Sequence, residues 1–347
     1  MNMDSLIENA LQQAATKKAQ EILIHPQQPL QFRVGRELIA MAQQISPAQT
    51  RQLISQILND DEKKSLFENL KVDGVRTIGP VSFKFNFQVD FEGVAGSLEI
   101  QNILPTSKMP RWPFPQRIAE SLGRPQGLNL IIGPRRSGKS EAIRNLVSSL
   151  SGRQKVIALY SDGEILGSQL NGNVISQFSL QQLKTNGVLP SCDLVVIDSN
   201  EPAFCETALQ LAEEGRSVLL SLAFWNLQMG IQRFLDLCAG DEKSTARRLS
   251  AVLQMALGVR LMPGIDSPLV GAYELLLGGP DIQRAISEND FVTLNQMMKA
   301  SGEKSGMSGM NQALFQLLIK RKVEIKTAFE FSPDPQELDQ LLKKVGI

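Results

Sequence analysis

The chain has one histidine, His25, and three cysteines, Cys192, Cys205 and Cys238, among 347 residues. A zinc site or a Cys/His catalytic pair needs these residue types clustered, and the cysteines are unevenly spaced, odd in number and far from His25. They read as structural or surface cysteines of a reducing cytosol. Aromatic residues make up only 5%, with two Trp and two Tyr. Charge of either sign is not in excess, since Lys+Arg and Asp+Glu are 36 each. No global field therefore favours nucleic acid or an acidic membrane surface. No apolar run approaches the roughly 20 residues of a membrane-spanning helix. The opening segment MNMDSLIENALQQAATKKAQ lacks the charged and apolar regions of a secretory signal.

What is present is an apolar content of 42%, enough for ordinary cores, in a chain long enough for two domains or one large α/β domain. Ile7, Ala10, Leu11 and Ala14 fall on one face of a helix within 4–20. Glu21–Ile24 and Leu30–Val34 predict two short strands joined by the turn HPQQP. Ser46-Pro47 predicts a helix start, running through Leu58, and Asp60 or Asp61 begins another that reaches Leu70. Val81–Val89 alternates apolar and polar residues like a half-buried antiparallel strand, with 95–104 as its neighbour. Residues 1–104 thus read as a small α+β domain. Four prolines within 105–115 can continue neither helix nor central strand, so 105–117 reads as a linker. From 118 to 347 strands (128–132, 155–160, 193–197, 217–222) alternate with helices (138–150, 203–214). That order predicts a parallel sheet, followed by helices beyond 280. SGEKSGMSGM, 301–310, reads as a flexible loop ahead of a helix over 311–322.

The most specific motif is GPRRSGKS, Gly133 to Ser140, of the form G-x-x-x-x-G-K-[ST]. It follows the apolar run LNLII and precedes the helical pattern EAIRNLVSSL, the context that gives the motif meaning. Glycines 133 and 138 let successive N–H groups converge on one anion beside a helix N-terminus. On this reading Gly133, Pro134, Arg135, Arg136, Ser137, Gly138, Lys139, Ser140 and Glu141 form a cradle for ATP or ADP. Lys139 would reach the terminal phosphates, and Ser140 would offer its hydroxyl to Mg2+. Arg135 and Arg136 would either lie over the phosphates or face solvent or a neighbouring subunit's acids. DLVVIDSNE ends an apolar strand in Asp198, which is either a plain strand-end cap or the form that holds a magnesium-bound water in many phosphate-loop proteins, and on the latter reading Ser140 and Asp198 are the candidate metal residues. Asp162, in VIALYSDGE, is a second candidate carboxylate, or the cap of an Asp-Gly turn.

Taken in order, EILIHPQQPLQFRVGREL (21–38), FKFNF (83–87), VLQMALGVRLMP (252–263), PLVGAYELLLGGPDI (268–282) and the C-terminal GMSGMNQALFQLLIKRKVEIKTAFEFSPDPQELDQLL resemble the PilT-type retraction ATPases of type IV pili, within the secretion-ATPase superfamily. The resemblance spans nearly the whole chain. It implies an α/β fold, with a PAS-like N-terminal domain and a RecA-like P-loop domain that ends in helices. It also implies a hexameric ring with ATP held between domains, cytoplasmic and peripheral to the inner membrane through a pilus platform protein. The balanced charge disfavours direct nucleic-acid contact, although RecA-like folds include translocating relatives, and the absence of a long apolar run predicts no integral membrane protein.

Set against the family's motifs, several positions differ. Ser161 and Asp162 stand where the family has Glu-Asp, and Asp198 and Ser199 where it has Gly-Glu, with the glutamate aligning the attacking water. Arg216 and Ala223 replace its histidines, and Phe224 and Trp225 its small hydroxyl residues. Glu92 and Gln101 take the place of arginines, Lys84 of an earlier one, and Asp281-Ile282-Gln283 of Ala-Ile-Arg. A glutamate for an arginine reverses the charge aimed at a phosphate. Three functions follow as expectations. The first is a hydrolysis-impaired pseudo-ATPase, homo-hexameric or co-assembled with an active relative. The second is an active divergent retraction ATPase using Asp198 or Asp162, with Arg216 or Arg233 of a neighbour as finger. The third is a scaffold that keeps the loop only as packing, against which the intact lysine and serine argue.

Overall fold

A computed structural model describes residues 4–34, 37–79, 81–101, 112, 114–150, 155–161, 169–170, 173–188, 190–199, 201–267, 269–300 and 306–346. Two compact units result, Met1–Ser107 and a second built from Lys108–Ser161 and Ile165–Ile347.

The first unit runs α1 (Asp4–Lys17), β1 (Glu21–Ile24), β2 (Pro29–Val34), β3 (Glu37–Gln44), α2 (Pro47–Ile57), α3 (Asp60–Asn69), β4 (Lys71–Ile78), β5 (Val81–Val89) and β6 (Val94–Gln101). Its sheet has the order β3-β2-β1-β6-β5-β4, every pairing antiparallel. Alternation along β5 buries Phe83, Phe85 and Phe87 in one core with Leu53, Ile54, Ile57 and Leu66 of the helices. Ser46 and Asn59 start α2 and α3 with reciprocal capping boxes. The cap of α3 is therefore Asn59 rather than an aspartate, because Asn59 Oδ1 accepts from Glu62 N at 2.8 Å.

The second unit begins with α4 (Gln116–Leu122), β7 (Gly127–Ile132), α5 (Lys139–Ser149), β8 (Val156–Ser161), β9 (Gln169–Leu170), β10 (Asn173–Phe178), α6 (Leu180–Asn186) and β11 (Leu194–Asp198). It continues through α7 (Phe204–Glu213), β12 (Ser217–Leu222), α8 (Leu227–Leu237), α9 (Glu242–Val252), β13 (Leu253–Met262) and β14 (Val270–Leu277). Five helices complete it, α10 (Pro280–Ser287), α11 (Phe291–Ala300), α12 (Met310–Ile319), α13 (Ile325–Phe331) and α14 (Pro335–Lys343). The sheet order is β14-β13-β7-β12-β11-β8-β10-β9. Its central pairings are parallel, as the alternation of strands and helices predicts. The outermost strands, β14 and β9, run antiparallel, so the sheet is mixed rather than wholly parallel. Seven residues separate β13 from β14 and two separate β9 from β10, too few for a parallel crossover.

Helices cover both faces of this sheet. One face packs α4 and α5 against Ile131, Leu159, Val196 and Leu257, and the other packs α7, α8 and α9 against Leu130, Val195 and Leu220. Hence β7 and β12 are buried along their whole length and read as continuous apolar runs. The last three helices form a smaller core with Met262 and Ala272. The expected linker, 105–117, lies mostly outside the described residues, and its last two, Gln116 and Arg117, already belong to α4. The expected loop 301–310 lies outside them through 305, and its Met310 begins α12. No helix among the described residues is long and apolar enough to cross a membrane.

Candidate functional site

The loop 133–140 leaves the C-terminal end of β7 and enters α5. Gly133 N donates to Leu222 O at 3.1 Å, which fixes the loop's root to β12. A Cβ at Gly133 would lie 2.3 Å from Ser137 Oγ and 2.6 Å from Val259 O, so only glycine fits there. Gly138 takes φ +86°, and a Cβ on it would meet Leu261 Cδ1 at 2.6 Å. Arg136 also sits at positive φ, +64°, which costs a residue with a Cβ about 1–2 kcal/mol. The two motif glycines thus answer to close approach and to backbone hand, as the motif implies.

Lys139, the first residue of α5, curls back over the loop. Its ammonium donates to Gly133 O at 2.9 Å and to Pro134 O at 3.1 Å, and the residue is 8% exposed. Ser140 Oγ donates to Asp198 Oδ2 at 2.7 Å, which joins the start of α5 to the end of β11. The other oxygen, Asp198 Oδ1, accepts from Ser221 Oγ at 2.6 Å. Two hydroxyls therefore hold both oxygens of this carboxylate, and the pair expected from sequence, Ser140 with Asp198, is together. Ser221 was not expected. It lies inside the apolar run SVLLSL, is fully buried, and only the register of β12 beside β11 reveals what it faces.

Glu141 bonds Arg144 at 2.8 Å, yet its Oε1 is buried without a hydrogen-bond partner. Burial pushes its carboxyl above the usual range, against the lowering influence of Arg144. Ser137 Oγ is likewise buried and without a partner. Arg135 and Arg136 are both exposed, and Pro134 is half-buried.

Ser199 is buried, and its hydroxyl accepts from Glu201 N at 2.9 Å, closing a local turn. Arg216 precedes β12, at the end of the strands opposite the loop, and its Nη1 reaches Cys192 Sγ at 3.8 Å. Arg233, on α8, pairs with Asp236 at 3.2 Å on the surface. Phe224 packs against the core, whereas Trp225 is 45% exposed. Glu92 lies in the β5–β6 turn, Gln101 ends β6, and Lys84 stands across from Glu99. Asp281, Ile282 and Gln283 lie in the first half of α10. Asp162 and Glu164 fall outside the described residues. Cys205 and Cys238 are buried and Cys192 half-buried, all three as free thiols. Arg260 and Glu274, one charge inside each of the apolar strands β13 and β14, are both buried. The signal that sequence offered for them was a lone charge within an apolar run.

Strand, loop and helix in this order, with Lys139 over the loop and Ser140 on Asp198, define a P-loop protein built on a mostly parallel sheet. No family model matches the chain. The twitching motility protein of Neisseria gonorrhoeae is 26% identical over 289 residues, 79% of this chain and 76% of that protein. The type IV pilus retraction ATPase PilT of Pseudomonas aeruginosa is 22% identical over 301 residues, 83% of this chain and 86% of its own. The crystal structure of the pilus retraction motor PilT with bound ADP superposes with a TM-score of 0.75 at 25% identity, covering 95% of this chain and 98% of that one. On sequence and fold together, the chain is similar over most of its length to the PilT-type secretion ATPases of type IV pili and twitching motility.

Proposed function

We propose that this chain is a nucleotide-binding subunit of a type IV pilus or related secretion motor, impaired in hydrolysis and structural or regulatory in role. Residues 133–141 hold the phosphates of ATP or ADP, and Ser140 with Asp198 holds Mg2+. The observation that carries the reading is the pairing of Ser140 Oγ with Asp198 Oδ2 at 2.7 Å beside a lysine folded over the loop. A hydroxyl and a carboxylate are the hard oxygen donors that Mg2+ takes, and a bound ion would supply charge neutralisation at the phosphates. The buried, unpartnered hydroxyl of Ser137 also favours a ligand in the loop.

Impairment is supported by Ser199, where the family's water-aligning glutamate stands. A hydroxyl is no general base at neutral pH, and this one is engaged by Glu201 N. Both oxygens of Asp198 accept hydroxyl hydrogen bonds, which suits a metal-shell residue better than a base. Loss of a transition-state cation alone can cost about a thousandfold in phosphoryl transfer. The finer architecture belongs to the same proposal. It comprises a PAS-like domain over 1–104, a linker over 105–117 and a RecA-like domain over 118–347. The ring is a homo-hexamer or is shared with an active PilT-like ATPase, cytoplasmic and held at the inner membrane by the pilus platform protein. PilT with bound ADP, the relative named above, supports ADP as one occupant.

The test has two arms. Fluorescent ATP binding that is unchanged by Lys139→Ala removes nucleotide from the loop. Magnesium-dependent phosphate release by the assembled oligomer at the rate of ordinary motors, abolished by Asp198→Ala, replaces the impaired reading with an active divergent retraction ATPase.

A further inference from the structure

Strands β13 and β12 flank β7 on its two sides, with Gly258 and Leu222 both in register with Ile132. Arg260 lies two residues beyond Gly258, and Trp225 three beyond Leu222, in the turn from β12 to α8. Neighbouring strands stand about 4.8 Å apart, so two ladders separate the ends of β12 and β13 by roughly 10 Å. Yet Arg260 Nη2 donates to the Trp225 carbonyl oxygen. Its guanidinium carbon is also 3.9 Å from the indole ring centre. The turn itself makes the crossing, since Leu227 N at its far side is held by Glu274 of β14, so the β12–α8 turn passes over the end of β7, where Gly133 begins the loop, to meet Arg260. Val259 O, one residue before it, already crowds Gly133.

This guanidinium is unusually placed. Arg260 is 2% exposed, and its Nε and Nη1 have no hydrogen-bond partner. The carboxylate whose charge acts on it, Glu274, bonds elsewhere. Glu274 lies over Gly258, where a Cβ would be 2.5 Å from its Oε1, and accepts from Leu227 N, the first residue of α8, at 2.9 Å. A buried cation with one hydrogen bond and one ring face is costly unless something else stabilises it. The turn it holds, Ala223-Phe224-Trp225-Asn226, carries no ionisable side chain of its own. The guanidinium that meets it comes from β13, the strand beside β7, from which the loop departs.

We propose that Arg260 and Trp225 sense the charge held in the phosphate loop. Arg260 is a positioning residue that ties the β12–α8 turn to the loop's occupancy by a nucleoside polyphosphate. The inference rests on nucleotide binding at 133–141. A polyphosphate in the loop brings several negative charges to the end of β7, where Arg260 has two donors to offer. Drawing the guanidinium toward them weakens its hold on the Trp225 carbonyl and ring. The turn and the start of α8 then move, and the exposed edge of Trp225 carries that movement to the surface.

The test uses the full chain with 5-fluorotryptophan at both positions, the two 19F resonances assigned by Trp112→Phe and Trp225→Phe. Mg-ADP and a non-hydrolysable Mg-ATP analogue are titrated while equilibrium dialysis with radiolabelled nucleotide measures binding separately. The Trp225 resonance is expected to shift on saturation, with the dialysis midpoint. Arg260→Met is expected to abolish that shift while dialysis still reports binding, weakened by tenfold or less. Arg260→Lys, which keeps the charge and stands in if the methionine variant does not fold, is expected to retain a reduced shift. Binding with a stationary Trp225 resonance overturns the sensor and leaves nucleotide binding standing. A full shift in Arg260→Met, or in Arg260→Lys with the methionine variant unfolded, removes Arg260 as the coupling residue. Absence of binding by dialysis overturns both.

Discussion

The two sheets of this protein bury their residues on different terms. The six-stranded antiparallel sheet of the first unit packs the phenylalanines of β5 on its helices, and buried polar groups there are simply paired, as with Glu21 and Arg33 at 3.0 Å. The eight-stranded sheet of the second unit is covered on both faces. Most polar side chains along the central strands are therefore buried, and each buried one needs a reason. Asn129 bonds the Val218 carbonyl at 3.2 Å, Ser221 holds Asp198, Glu274 caps the start of α8, and Arg260 holds the Trp225 carbonyl. One sheet is organised by apolar packing, and the other also places chemistry inside its packing.

If that contrast is right, the largest single loss comes from an apolar deletion in the first sheet, without effect on the loop. Phe85 is fully buried between Phe83 and Phe87 on alternate positions and stacks on the Phe87 ring at 5.5 Å. Phe85→Ala is expected to lower unfolding free energy by about 3–5 kcal/mol, read from urea denaturation of the first transition. Nucleotide affinity of the folded protein should stay within twofold. A matching loss of affinity would break the comparison, since it would make the first sheet part of the binding machinery.

Next in size is Lys139→Ala, which removes the ammonium from Gly133 O and Pro134 O. Charge-assisted contacts are worth roughly 1.5–3 kcal/mol, so nucleotide affinity should fall by about 10- to 150-fold. Thermal stability should change little, because the two carbonyls it leaves border the loop. Ser221→Ala sharpens the comparison further. It leaves Asp198 Oδ1 without its hydroxyl donor inside a covered sheet, at about 1–2 kcal/mol in stability. It should also loosen the magnesium dependence of binding, seen as a higher Mg2+ midpoint at fixed nucleotide. A stability loss with an unmoved midpoint would make Ser221 a packing residue only.

These residues also show what could be read without coordinates. The bounds of β1 and β5 were legible, because a strand buried on one face alternates and a short apolar run between turns has few other fates. β3 and β4 were not read: ELIAMAQQ and KVDGVRTI are strands at the outer edges of a sheet, half polar and weakly patterned. The antiparallel β14 and β9 escaped because strand direction depends on the connection rather than on the strand's own residues. The loop was legible since its glycines and lysine act within eight consecutive positions. Ser140 and Asp198, 58 residues apart, were joined by motif logic. Ser221, Arg260 and Glu274 had no such help. A serine or a lone charge in an apolar run acquires its meaning from the neighbouring strand, and register is what places it there.

The smallest expected effect belongs to the surface of the second unit, where polar groups return to ordinary terms. Asp334 caps α14, accepting from Glu337 N at 3.1 Å, and meets Lys299 Nζ at 2.8 Å. The bond from Lys299 holds its carboxyl below the usual value of 3.8, aided by backbone donors of α14. A carboxyl lowered on folding contributes stability above its unfolded value, and that contribution is lost as pH falls through the lower folded value. The pair is more than one-third exposed, so solvent screening keeps its worth under about 1 kcal/mol. Asp334→Asn keeps a capping oxygen and removes the charge. The stability difference between parent and variant, from urea midpoints, should be present at pH 6 and shrink as pH drops below 3.8. A difference that stayed constant across that range would assign the whole effect to capping geometry. A difference as large as that of Ser221→Ala would mean that this surface pair is held as tightly as the polar groups inside the sheet.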